Sequence, residues 1–328
     1  MPESRDPDAK PGLDWRGTIL VLFGLGGLAY GLIASPISGW RDPTVLVSLT
    51  GGLALLVGFV YVERRSRTPM LPLSLFQSRT FSAVNLLTLL LYAAVGGVFF
   101  FLPFALIQLH GYPATLAGTA FLPFTIIMAA LSRWAGGLLD QFGARLPLMI
   151  GPAIAALGIR LMGLTVANGS YWEFLVSIAI LGFGMVVTVA PLTATVIDAV
   201  PAHETGVASG INNAVASVAN LLAIAILGAV ALSILDHALT RNLQNLALSE
   251  GVKHAIQAAR GQLVIEPALA NIQGADRASA ELILKGSLAE SVRWVMLIAA
   301  AIALGGAAAG TLIPRPTRGS SSGSPKSA

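Results

Sequence analysis

Eight apolar runs alternate with short polar joints along this 328-residue chain, near residues 17–36, 45–62, 80–106, 112–133, 146–167, 172–197, 205–235 and 291–313. A bilayer core about 30 Å thick is crossed by roughly 20 apolar residues at helical rise, so each run predicts one membrane helix. Strands of a membrane barrel would be shorter and would alternate polar with apolar, which these runs do not. The joints are short except at 236–290, which is polar enough to leave the membrane. There Leu235, Leu239, Leu243 and Leu246 recur at helical spacing. That spacing predicts amphipathic helices on the outer face, serving as a connector on the rim or as a recognition element.

Composition agrees with a membrane protein: 55% of residues are hydrophobic and 11% charged, with a mean hydropathy of +0.76. The absence of cysteine excludes disulfides and thiolate metal sites. The net charge of +4 does not point to nucleic acid, because the basic residues flank apolar runs and form no patch interleaved with aromatics. Instead they sort by side. Arg5, Lys10, Arg16, Arg64, Arg65, Arg67, Arg79, Arg133, Arg145, Arg315, Arg318 and Lys326 fall on one face, whereas Arg41 is the clear basic residue of the opposite short joints. The positive-inside rule makes the first face cytoplasmic and puts both termini inside, as for a multi-pass protein of the cytoplasmic (inner) membrane.

Residues 1–13, with Pro2, Pro7, Pro11 and Gly12, read as a cytoplasmic linker that ends at an interfacial Trp15. A helix pair follows at 14–64, and a polar loop at 65–79 separates it from six further helices at 80–313. The low-complexity tail 314–328 reads as disordered. The fold class is therefore an all-α membrane protein of about eight transmembrane helices, a helix pair plus a six-helix bundle.

Few residues here can carry chemistry. The link Gly136-Gly-Leu-Leu-Asp-Gln-Phe-Gly-Ala-Arg145 joins two long apolar runs. Gly136 and Gly143 permit a close helix approach and a tight turn, and Asp140 can accept from a helix N-terminus or pair with Arg145. That makes the link either a conformational latch or an ordinary charged turn. In the seventh run Ser209, Asn212, Asn213, Ala216 and Asn220 fall within roughly a third of the helix circumference, with Ser217 beside them. Such a stripe lines a cavity or joins helices to one another. Asn85 and Tyr92, on one face of the third run, admit the same two readings. Pro191 predicts a kink in the sixth run, with Gly182 and Gly184 thinning it for bending or close contact. Arg160 stands several residues inside the fifth run, either as an ion-pair partner or as a side chain that snorkels to the outer interface.

Two other chemistries make definite demands on these residues. Gly206-Val-Ala-Ser-Gly210 superficially looks like an intramembrane serine protease, but a nucleophilic serine needs a base beside it. His110, His203, His237 and His254 all lie in joints or at run ends, so the sequence points to no enzyme, no catalytic residue, no metal and no cofactor. A proton-coupled transporter needs a titratable group within the membrane. Asp140, Asp198 and Asp236 sit at run ends.

The link at 136–145 resembles the signature loop of the major facilitator superfamily, Gly-x-x-x-Asp-Arg-x-Gly-Arg-Arg. Gly136, Asp140, Gly143 and Arg145 match it, while Gln141 and Ala144 depart from it. Further segments look like the fourteen-span drug:proton antiporter branch: Asp14-Trp-Arg-Gly17, Glu63-Arg-Arg-Ser-Arg-Thr-Pro-Met70, Gly111-Tyr112 with Ala117-Gly118, Ala190-Pro191-Leu192-Thr193 and Gly206-Val-Ala-Ser-Gly-Ile-Asn-Asn213. The resemblance implies a central helix pair followed by a C-terminal bundle of two inverted three-helix repeats. It implies that the seventh run faces a partner half, and that Arg160 replaces an apolar residue on a peripheral helix. In that family the Asp-Trp-x-Gly segment follows the sixth span, so the expected partner is an N-terminal six-helix half. That half would hold the coupling acid and would share a small hydrophobic or amphipathic substrate. The competing expectation is an inactive fragment or an assembly subunit. Ala105-Leu106-Ile107 and Gln108 depart from the Tyr-Leu-Gln common in the family, which sets any inherited drug specificity apart.

Overall fold

The computed structural model describes residues 15–66, 71–245, 248–270 and 272–314, apart from the side chains of Pro36, Asp140 and Asn245. The linker 1–13, the tail from 315 onward, Asp14, Leu246 and the 67–70 part of the polar loop lie outside the described residues. Among the described residues, eight helices are long and apolar enough to cross a membrane. We label the main helix of each span α1 (Trp15–Ser38), α2 (Pro43–Arg65), α3 (Arg79–Phe104), α4 (Leu122–Gly136, the longer part of the span Ala114–Gly136), α5 (Arg145–Thr165), α6 (Tyr171–Asp198), α7 (Thr205–Asn245) and α8 (Gly274–Gly310).

Local chemistry sets several starts. The Asp42 carboxylate accepts from the Thr44 and Val45 amides at 2.8 and 3.3 Å and caps α2, with Pro43 in the first turn where its missing N–H costs nothing. Ser78 accepts from the Phe81 amide at the head of α3. Ser170 and Glu173 form a reciprocal capping box on α6.

The fourth apolar run differs from its expectation of one uninterrupted helix. A short helix, Ala114–Thr119, stops before α4 begins. Pro123 lacks the N–H that would continue the ladder, and the chain turns through a Phe121 N–H to Gly118 O bond of 3.2 Å instead. The third run also ends irregularly. Pro103 lies inside α3, and Ala105–Leu109 widens into a π-turn after it.

In the bundle α3 packs against α7 and α8, α8 against α5, α5 against α6, and α6 against α4. The core lies where these meet, around Phe81, Leu91, Phe101, Ile159, Phe174 and Leu181. The α1–α2 hairpin docks through α1 on α7, and α2 is almost bare, as lipid contact allows. Where helices have no hydrophobic drive to associate, small residues let backbones approach. A Cβ on Gly184 would lie 2.4 Å from the Ala155 amide nitrogen and 2.6 Å from the Gly151 carbonyl oxygen, so α5 and α6 touch backbone to backbone.

The stretch 236–290 is not a separate connector with its own helices alone. α7 has 41 residues and α8 has 37, about 62 and 55 Å at 1.5 Å per residue, or roughly twice a hydrocarbon core. Both helices run on past the membrane and carry nearly half of the stretch, joined by the short helices Glu250–Ala258 and Glu266–Leu269. Leu235 and Leu239 are buried in this extension and Leu243 packs against it. The periodicity was therefore helical for a simpler reason than expected: it continues α7. Ion pairs Arg241–Glu290 at 2.6 Å, Arg260–Asp236 at 3.4 Å and Arg277–Glu266 at 3.4 Å stitch the cap together. Gln108, in the π-turn, accepts from the Ile265 amide at 3.4 Å.

Candidate functional site

The polar residues of α7 divide into two sets. Asn212 is buried and donates from Nδ2 to Asn85 Oδ1 at 3.2 Å and to Thr88 Oγ1 at 2.7 Å, both on α3. Asn85 donates in turn to the Phe81 carbonyl at 2.9 Å, and Thr88 to the Val84 carbonyl at 2.9 Å. Every polar group of this triad that must leave water finds a partner. Asn85 and Asn212, for which the sequence leaves both cavity lining and helix packing open, sit inside the α3–α7 contact and join the two helices. Asn220 belongs with them: a Cβ on Gly96 of α3 would meet its Oδ1 at 2.4 Å and its Cα at 3.2 Å.

The second set faces out. Asn213 and Ser217 are exposed, Ser217 donating to the Asn213 carbonyl at 3.0 Å, and Ser209 is half-buried between the two sets. Gly206, Gly210 and Ala214 share that open side. On α3, Tyr92 is half-buried and packs against the core. Helical spacing alone could not separate the sets, because a third of a helix circumference spans both a neighbour and an open face.

In the link at 136–145 the turn is made by Gly143, at φ +69°, ψ 172°, a backbone that an L side chain rarely adopts. Its N–H closes a 2.8 Å bond to the Leu139 carbonyl and ends the short helix Leu138–Phe142. Gly136 is not a close-approach glycine, since a Cβ there would meet nothing within 4 Å. Arg145 opens α5 and is half-buried. The Asp140 side chain lies outside the described residues, so the latch contact proper does too.

α6 runs unbroken through Pro191, which is buried, and Thr195 donates to the Pro191 carbonyl at 2.6 Å, occupying an acceptor near the proline. Gly184 makes the α5 contact described above, and a Cβ on Gly182 would meet Phe124 Cα of α4 at 3.0 Å. Both glycines thus serve close approach. Arg160 is exposed on α5.

Glu63 was missed by sequence reading. The basic run after it suggested a loop, but α2 continues to Arg65, and Glu63 is buried in its last turns, where it accepts from the Leu71 amide at 3.2 Å. It pins the loop entering α3 to the helix pair. The signal was present as a lone acid among arginines at a run end. Among the described residues no group of three or more His, Cys, Asp or Glu side chains could hold a metal ion.

The pattern of the Major Facilitator Superfamily matches residues 15–224. The chain is 29% identical over 243 residues to the multidrug resistance protein Stp of Mycobacterium tuberculosis, covering 74% of this chain and 45% of that protein. It is 34% identical over 212 residues to the cephamycin export protein CmcT of Amycolatopsis lactamdurans, covering 63% and 43%. With the tetracenomycin C resistance and export protein of Streptomyces glaucescens it shares 28% over 229 residues, covering 70% and 42%. The chain thus spans a little under half the length of these relatives. A bacterial homolog of the human lysosomal transporter Spinster, solved inward-facing and occupied, has the same fold with a TM-score of 0.55 at 18% identity, over 90% of this chain and 66% of that one. A family pattern over nearly two thirds of the chain, on an eight-helix membrane fold, leaves no place for the intramembrane protease: this is a multi-pass membrane protein, and it belongs to the Major Facilitator Superfamily of transporters rather than to any enzyme family.

Proposed function

We propose that this chain forms the C-terminal portion of a drug:proton antiporter of the fourteen-span type, exporting hydrophobic or amphipathic small molecules across the cytoplasmic membrane with both termini inside. The observation that carries the proposal is the match to export and multidrug resistance proteins over about half of their length. The exposed side of α7, with Asn213 and Ser217, then borders the substrate path, and a second six-helix half, in the same polypeptide or another, forms the other wall. Transport proceeds by rocking one half against the other, with the 136–145 loop restraining the swing. The proton-coupling group lies in that second half, since the buried acid found here, Glu63, is tied to the loop at the end of α2.

The test is dye efflux from cells, and proton-driven uptake into everted vesicles, with this chain present together with a six-helix N-terminal half. Efflux that appears only with both halves, and that falls at least several-fold in Asn213→Trp, supports the proposal. Efflux by residues 1–328 alone would overturn the shared-path arrangement. No efflux with any N-terminal half, in a protein that inserts and stays monodisperse, would favour the inactive or assembly role instead.

A further inference from the structure

Arg160 and Arg293 hold positions that the transport reading does not use. α5 and α8 run antiparallel along one seam: a Cβ on Gly163 would meet Met296 Cβ at 2.9 Å and the Arg293 carbonyl at 3.3 Å, and at the other end a Cβ on Gly310 would meet the Leu148 carbonyl at 2.5 Å. This register puts Arg293 level with Gly163, and Arg160 one turn deeper, about 4.5 Å along the axis. Both arginines are exposed. On the helical wheel each lies at the margin of the open face that its helix turns toward the other: Arg160 between buried Ala156 and exposed Leu164, and Arg293 between buried Met296 and exposed Leu304. Neither joins a hydrogen bond or ion pair among the described residues. Glu290, the acid nearest to Arg293 on α8, is already held by Arg241 at 2.6 Å. Exposed Trp294 beside Arg293 marks the level of the membrane interface.

The same seam continues into an apolar groove of about 550 Å³ along α5 and α8, lined among others by Ile150, Ala153, Leu157, Ala307, Ala308 and Thr311. From Arg160 to Met149, at the far end of the groove, is about 16 Å along the helix, close to the half-thickness of a hydrocarbon core. Small side chains at Ala153, Ala307 and Ala308 hollow the surface where a chain would lie. We propose that this seam is a binding site for one anionic phospholipid, its phosphate held by Arg160 and Arg293 and one acyl chain seated in the groove, in the leaflet at the C-terminal end of α5. Guanidinium pairs suit phosphate because they donate in a planar fork and stay charged at any relevant pH. The groove sets this apart from simple snorkelling, which needs only water and a headgroup layer.

The chain purified in detergent, given a mixture of phosphatidylglycerol and phosphatidylcholine, is read by native mass spectrometry for retained lipid. One phosphatidylglycerol is expected to stay bound in preference to phosphatidylcholine. The double variant R160Q/R293Q should retain about tenfold less, the scale of one lost charge-assisted contact. R160K/R293K should recover part of it. Ala153→Trp, which fills the groove while keeping both arginines, should also lose the lipid, and Arg41→Gln, an exposed arginine elsewhere on the same side, should not. Monodispersity of each variant separates lost binding from lost fold. Equal retention in R160Q/R293Q and the parent, or in Ala153→Trp and the parent, would overturn the site. Displacement of the lipid by free glycerol phosphate at similar concentration would overturn the acyl seat.

Discussion

Substitution of Gly184 by alanine tests whether close backbone contact holds the bundle together. The added Cβ would sit 2.4 Å from the Ala155 nitrogen, 2.6 Å from the Gly151 carbonyl oxygen and 2.8 Å from the Ala155 Cα. Comfortable separations lie near 3.5 Å or more, so α5 and α6 must part by about 1 Å. All three obstacles are backbone, which cannot rotate away. Overpacking costs about 1–3 kcal/mol, and three simultaneous clashes put this site at the upper end. Replacing glycine by alanine inside a helix returns about 1 kcal/mol, leaving a net loss of about 2 kcal/mol. By the scaling for soluble domains of 150–250 residues, that lowers the melting temperature by roughly 4–8 °C. Gly206→Ala is the control, because its Cβ would meet nothing within 4 Å; the propensity gain should leave it as stable as the parent or slightly more so. Thermal unfolding of both variants in one detergent, followed by loss of the monodisperse peak, measures the difference. If Gly184→Ala melted with or above Gly206→Ala, the backbone contact between α5 and α6 would not carry the load assigned to it.

Other consequences follow from single sites. Asn212→Leu should lower stability by about 1 kcal/mol, the scale of interhelical hydrogen bonds in membranes plus the cost of leaving Asn85 Oδ1 without its donor; a double cycle with Asn85→Leu should show coupling, and strict additivity would refute the contact. Gly143→Val should weaken the turn between α4 and α5, because a β-branched side chain resists positive φ; unchanged melting and unchanged cleavage of the loop by added protease would count against it. Asp42 has its pKa lowered chiefly by the Thr44 hydroxyl; desolvation opposes this, and the Val45 and Thr44 amides add to the lowering. A depressed carboxylate stabilises the fold above its ordinary pKa of about 3.9 and loses that contribution as pH falls through the lower folded value. Melting of the parent should therefore fall more steeply than that of Asp42→Asn between about pH 5 and pH 3, and parallel profiles would remove the cap from the account. In the assembled transporter, Asp140→Asn is expected to slow efflux several-fold without changing membrane insertion, and wild-type rates would argue against a restraining role for the 136–145 loop.

The apolar runs alone determined that eight helices cross a membrane, because lipid demands that each run satisfy its own backbone and therefore imposes one local conformation. The match of Gly136, Asp140, Gly143 and Arg145 to a short motif was equally local. The length of α7 was legible in its leucines, yet reading them as a continuation required seeing α7 and α8 packed side by side past the membrane. What the tertiary structure alone decided is which polar groups meet. Asn212 and Asn213 are neighbours in sequence, and 100° of helical rotation sends one into Asn85 and Thr88 on a helix more than a hundred residues away and leaves the other open. Glu63 stands at the end of an apolar run, and only the fold brings the Leu71 amide back to it. Arg160 and Arg293 share a seam only because Gly163 lets α8 approach. Helix formation depends on neighbours a turn apart, whereas the identity of a contact depends on residues that only packing brings together, and for these the chain order carries no mark.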